Sequence, residues 1–167
     1  KKIKKEYGIC NKPVLKLARK RLTKTTKIVE YNVSKDLIGI GNGKTYIVKT
    51  YGCQGNLADS EKISGILEQL GFTKVETEEM ADVVLFNTCA IRENAHNKVV
   101  GILGRIKKLK EDNPSLVTIL GGCMAQEEGI ASMLKDKYKW VDIVIGTHNI
   151  YELPVLLDKV LKEKKQD

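Results

Sequence analysis

Long apolar stretches are missing from this chain of 167 residues. No run approaches the roughly eighteen apolar residues of a membrane span, and no signal-peptide pattern is present, so neither a membrane-embedded nor a secreted protein is expected. Close cysteine pairs are also missing: Cys10, Cys53, Cys89 and Cys123 include no C-x-x-C. That removes the tight turn from which structural zinc sites usually draw two of their four ligands. Acidic residues are scarce at the start, where residues 1–50 hold three Asp/Glu against fourteen Lys/Arg, while residues 51–167 hold eighteen against fifteen. The formal charge of +8 therefore belongs to a basic leader on a mildly acidic body. Such a leader reads either as a nucleic-acid-attracting arm or as a solvated extension. A starting methionine is absent as well, and with Lys1 first the chain is expected to be a piece of a longer protein. Four cysteines in a basic chain without a signal point to a reducing cytosol, where thiols serve as ligands or catalysts.

What is present is enough for one domain with a core, since 42% of the residues are hydrophobic. Three cysteines, Cys53, Cys89 and Cys123, each end an apolar β-like run and precede a helix-like run, in TYIVKTYGCQ, DVVLFNTCAI and VTILGGCMAQ. They are spaced 36 and 34 residues apart, about one βαβ unit each. The expected elements are strands at 45–51, 83–87 and 117–120, with helices at 57–70, 92–110 and around 127–134. A fourth cycle, WVDIVIGTHN followed by IYELPVLLDKVLKEK, lacks a cysteine. The second of these helices is expected to bury Ala95, Val99, Ile102, Leu103 and Ile106. Asn56 and Asn149 stand where N-caps are expected, and Gly71 where a helix should stop. Before the cycles, a short helix at 14–22 and a strand at 28–33 are possible. The segment GIGNG resembles a phosphate loop but precedes a strand instead of following one, so it reads as a turn.

These cycles predict an α/β domain: three layers around a mostly parallel sheet of four or five strands, flavodoxin-like, behind a basic N-terminal arm. Right-handed crossovers put all the strand carboxyl ends on one edge, where such folds bind ligands. The three cysteines gather there, as does GTHN with His148. Gly52, Thr88 and Gly122, each just before a cysteine, are read as room for something bulky to approach the backbone.

Four chemistries suit the gathered thiols. Zinc would need His148 as fourth ligand. A disulfide between neighbouring strand ends is read as the oxidised, metal-free form. Buried core cysteines are common, but recurrence at the same place in three cycles argues against coincidence. An iron–sulfur cluster fits best, because thiolates are its usual ligands and three of them leave one iron open. Cys10, in the arm, is read as an incidental thiol.

The segments TYGCQGNLADSE, NTCAIRENA and GGCMAQ, with GTHNIYELP beyond them, closely resemble the N-terminal domain of the methylthiotransferase family. Within it they look most like the tRNA enzymes acting on isopentenyladenosine (dimethylallyladenosine) beside the anticodon. Family members acting on threonylcarbamoyladenosine in tRNA or on a ribosomal-protein aspartate are rivals, and a non-catalytic α/β binding module is the alternative from another class. The resemblance divides the chain into a basic extension at 1–43, the cluster-binding domain at 44–163 and the start of a linker at 164–167. It implies that Cys53, Cys89 and Cys123 hold an auxiliary 4Fe–4S cluster whose open iron carries the sulfur given to the substrate. It also implies a second 4Fe–4S cluster and S-adenosylmethionine in a radical domain, and a C-terminal domain that helps hold tRNA. The sequence contains no C-x-x-x-C-x-x-C for that second cluster, so the chain alone is expected to be inactive. Cytoplasmic location and tRNA as partner follow from the same resemblance. Gly55 departs from the pattern, standing where the family usually has a bulkier residue, often methionine. Arg92 is a further candidate for substrate or domain contact.

Overall fold

The computed structural model describes residues 33–89, 95–126 and 128–166. Cys10, Arg92, residues 1–32 of the basic extension and with them the expected helix at 14–22 lie outside these residues, as does the expected strand at 28–33 apart from Val33.

Among the described residues the chain builds β1 (Thr45–Tyr51), α1 (Gln54–Gln69), β2 (Thr73–Lys74), β3 (Val83–Thr88), α2 (Ala95–Asp112), β4 (Val117–Gly122), α3 (Glu128–Lys137), β5 (Ile143–Ile145) and α4 (Leu153–Lys164). The five strands form one sheet in the order β2-β1-β3-β4-β5, with every pairing parallel. This is the flavodoxin-like order, in which the chain runs outward from β1 to one edge and from β3 to the other. The α/β expectation therefore holds, with five strands.

Every residue of β3 and β4 is buried, which is why both read as near-continuous apolar runs. Alternation along the strands divides the core between two layers of helices. Ile47, Val84, Phe86 and Leu120 pack with Val99, Ile102, Leu103 and Ile106 of α2 and with Ile130 and Leu134 of α3. On the opposite face lie Thr50 and Asn87, both hydrogen-bonded to Ser60 of α1. Each fully buried Leu, Ile or Phe contributes about 1.5–3 kcal/mol.

Three elements differ from expectation. The two-residue β2 was not foreseen, because both its side chains are exposed and carry no apolar pattern. Helix α1 starts three residues early, at Gln54, so Asn56 lies inside its first turn and Cys53 takes the N-cap position. Asn149 precedes a short 3-10 turn, Ile150–Glu152, with no side-chain cap; α4 begins after it, with Pro154 in its first turn. The glycine-rich segment is a turn, as read. It docks on the end of α1, where the Gly39 and Gly41 amides donate to the Leu70 carbonyl at 3.1 and 2.9 Å. Gly71 stops that helix with φ +99°.

Candidate functional site

The last residues of β1, β3 and β4 stand in one row, with Tyr51 opposite Thr88 and Thr88 opposite Gly122. Cys53, Cys89 and Cys123 leave the sheet within two residues of that row, on three neighbouring loops at the carboxyl edge. Between β1 and β3 the chain direction divides, and Cys53 and Cys89 occupy the two lips of that switch point. None of the three is in a disulfide.

Cys53 adopts extended backbone at the N-terminus of α1, and its carbonyl accepts the Asn56 and Leu57 amides at 3.0 and 3.3 Å. Its side chain is exposed. Backbone N–H groups, of Asn56 first and then Gly55, aim at the sulfur and hold the thiol below the ordinary cysteine value; a hydrogen bond with the Cys89 thiol acts in the same direction. This is the anion-favouring end of a helix directed at a sulfur.

Cys89 is half-buried beside Gly52. A Cβ at Gly52 would lie 2.7 Å from the Cys89 Cβ and 2.7 Å from Asn56 Oδ1. Gly122 has φ +106°, and a Cβ there would fall 2.0 Å from the Thr88 carbonyl oxygen. The Cβ positions of both glycines are thus filled by neighbouring segments. The two glycines let neighbouring strand ends close on one another, so that the Cys123 thiol reaches the Thr88 carbonyl at 3.8 Å.

Beneath the thiols lies a polar network that pattern-reading missed. Asn56 Nδ2 donates to Asn87 Oδ1 at 3.1 Å and to the Thr88 carbonyl at 3.0 Å. Asn87 Nδ2 donates to the Asn56 carbonyl at 2.8 Å and to Ser60 Oγ at 2.9 Å. Ser60 in turn shares a 2.7 Å hydrogen bond with Thr50. Among the described residues no buried side-chain polar atom lacks a partner. The one available signal was an Asn in a run read as an N-cap next to an Asn inside a buried strand.

On the α2 side of the switch point a cavity of about 520 Å³ is lined by Tyr51, Gly52, Cys89, Lys98, Gly101, Ile102 and Arg105. Tyr51 stacks on Phe86 with ring centroids 6.3 Å apart. Arg105 pairs with the buried carboxylate of Glu78, which raises the already high guanidinium pKa.

Among the described residues no group of three or more His, Cys, Asp or Glu side chains converges closely enough for a single metal ion. His148 is exposed and belongs to no such group among the described residues. The donor chemistry does fit a cluster, which spreads its thiolates across its own width. Three unbridged thiols sit on adjacent loops, and the one at the helix start favours thiolate.

Residues 45–146 match the model of the uncharacterized protein family UPF0004. The chain is similar to proteins named tRNA-2-methylthio-N(6)-dimethylallyladenosine synthase. It is 42% identical over 163 residues to that of Halalkalibacterium halodurans, covering 96% of this chain and 30% of the relative. For Bacillus licheniformis the identity is 44% over 154 residues, covering 92% and 30%. For Staphylococcus haemolyticus it is 41% over 169 residues, covering 98% and 33%. The chain thus spans about a third of the length of the curated relatives it matches.

Proposed function

The chain belongs to the uncharacterized protein family UPF0004, and on that premise we propose that it is the N-terminal, cluster-binding domain of a tRNA methylthiotransferase acting on dimethylallyladenosine beside the anticodon. Cys53, Cys89 and Cys123 are the ligands of an auxiliary 4Fe–4S cluster in this reading. The observation that carries it is the placement of three unbridged thiols on the loops after three adjacent parallel strands, two of them flanking the switch point. The relatives' names favour this substrate over threonylcarbamoyladenosine or a ribosomal-protein aspartate.

When bound, the cluster supplies an iron that no protein thiolate claims, the position at which a sulfur for transfer can be held. The chain's own residues do the holding. Backbone N–H groups at the α1 N-terminus aim at the Cys53 sulfur, Gly52 and Gly122 admit the close approach of the strand ends, and the Asn56–Asn87 network fixes the loops. S-adenosylmethionine, a second cluster and a C-terminal RNA-binding domain belong, in this reading, to other parts of a longer enzyme that works on tRNA in the cytoplasm.

Anaerobic reconstitution with iron and sulfide tests the reading. About four irons and four sulfides per chain are expected, by the composition of such a cluster, with a visible absorbance lost in Cys89→Ala. A protein that retains no iron, or a triple Cys→Ala variant that retains as much as wild type, would refute cluster binding and favour a non-catalytic binding module.

A further inference from the structure

We propose that the Asn56 side-chain amide is the positioning residue of this site, the one group that sets the spacing of all three thiols. The inference rests on the proposed reading for what the thiols hold, though not for how they are spaced.

Asn56 is the third residue of α1, and its neighbours Gln54, Gly55, Leu57 and Ala58 are all exposed. Asn56 alone is buried, at 4% exposure. An amide is buried at low cost only if its polar atoms are matched, and here they are matched to the cysteine-bearing segments. Its Oδ1 faces the Cys53 sulfur at 3.4 Å, with the thiol donating. Its Nδ2 donates to the Thr88 carbonyl at 3.0 Å, in the peptide link that leads directly into Cys89. That same carbonyl oxygen meets the Cys123 sulfur at 3.8 Å. One planar group is therefore tied to Cys53 directly, to Cys89 through one covalent link and to Cys123 through one shared acceptor.

The amide cannot turn over. Its Nδ2 protons are directed at two acceptors, the Thr88 carbonyl and Asn87 Oδ1, the latter at 3.1 Å. A flip would set oxygen against oxygen at both. The Asn87 amide is locked in turn by donating to the Asn56 carbonyl and to Ser60. Gly52 completes the fit, since a Cβ there would lie 2.7 Å from Asn56 Oδ1. Size and polarity are thus both specified. Serine is too short to span from Cys53 to Thr88, and aspartate keeps the shape but turns two donors into acceptors aimed at oxygen.

Hydrogen-bonded residues behind metal ligands typically alter affinity by about 10–100-fold when removed, and hydrogen bonding around cluster sulfurs tunes the reduction potential. The test uses the whole chain and two probes. The first is phenylarsine oxide, which is captured by close thiols without any iron. The second is iron and sulfide, followed by chelator competition and by the spectrum and potential of the reduced cluster. Asn56→Ser and Asn56→Asp should each capture the arsenical about tenfold more weakly and show a shifted cluster potential. Thr118→Val serves as control, because it removes buried hydrogen bonds at the far end of β4. It should lower the melting temperature with capture and potential unchanged. Equal capture by the Asn56 variants and wild type would overturn the proposal, as would equal weakening in Thr118→Val. Weakened capture in a protein that takes up no iron would leave the spacing role standing and remove the cluster reading.

Discussion

Replacing Gly122 with alanine gives the sharpest test of how the strand ends are packed. The residue closes β4 with φ +106°, a conformation that costs an L residue about 1–2 kcal/mol. Its new Cβ would lie 2.0 Å from the Thr88 carbonyl oxygen, 2.7 Å from Asn87 Oδ1 and 2.8 Å from the Thr88 nitrogen. Thr88 cannot retreat, because β3 is central and its other edge is paired with β1 at Tyr51. Overpacking of this kind costs about 1–3 kcal/mol more. The sum, about 2–5 kcal/mol, is a large share of the 5–15 kcal/mol typical of a domain and corresponds to a melting point lower by on the order of 10 °C. Gly104→Ala is the matched control, since its Cβ would meet nothing within 4 Å on the exposed side of α2. That change should stabilise by about 0.5–1 kcal/mol through helix propensity. Urea unfolding followed by circular dichroism measures both, with an unchanged slope as the check on two-state behaviour. A Gly122→Ala protein within 1 kcal/mol of wild type would refute the steric argument.

Two further outcomes concern titration. Because backbone N–H groups at the start of α1 favour its thiolate, Cys53 should react with iodoacetamide at lower pH than free cysteine, and mass-spectrometric peptide mapping across a pH series that gave the free-cysteine profile would show that the helix end has no effect. Burial pushes the Tyr46 phenol up to about 12, and its O–H donates a hydrogen bond to Glu68 at 2.9 Å. Its folded value lies above its unfolded one, so its contribution is complete below pH 10 and is lost as pH climbs towards 12; Tyr46→Phe should flatten the fall in stability over that window, and an identical fall would dismiss the assignment.

The parts of the fold legible in the sequence were those with a period. Strands β1, β3 and β4 showed themselves as apolar runs, and Val99, Ile102, Leu103 and Ile106 as a helical stripe, because burial against a sheet imposes both patterns. What could not be read depended on partners distant in the chain. Asn56 before an apolar stripe looks like an N-cap, and its real partners are Asn87 and Thr88, more than thirty residues away. The gaps at Gly52 and Gly122 looked like space for a ligand, since a sequence does not show that a neighbouring strand end fills them. The two exposed residues of β2 pair with β1 through their backbone alone and leave no mark on side-chain pattern.

That short strand explains why two nearly equal spacings are topologically unlike. Between Cys53 and Cys89 the chain makes an excursion through α1 to the edge at β2 and returns past β1 to β3; between Cys89 and Cys123 it makes a single crossover through α2. The first excursion places α1 on the face of Thr50 and Asn87, while α2 packs on the face of Phe86. The loops after β1 and β3 must therefore part in opposite directions, which opens the crevice that Cys53 and Cys89 flank. Cys123 lies one strand further on, so the three thiols are inequivalent: one at a helix start, one on the far lip, one against a carbonyl of the central strand. An asymmetric set of this kind needs something to hold its members in register across the divide. The Asn56 amide, rooted in α1 and bonded to the end of β3, crosses it, and the Asn87 amide braces it from the β3 side.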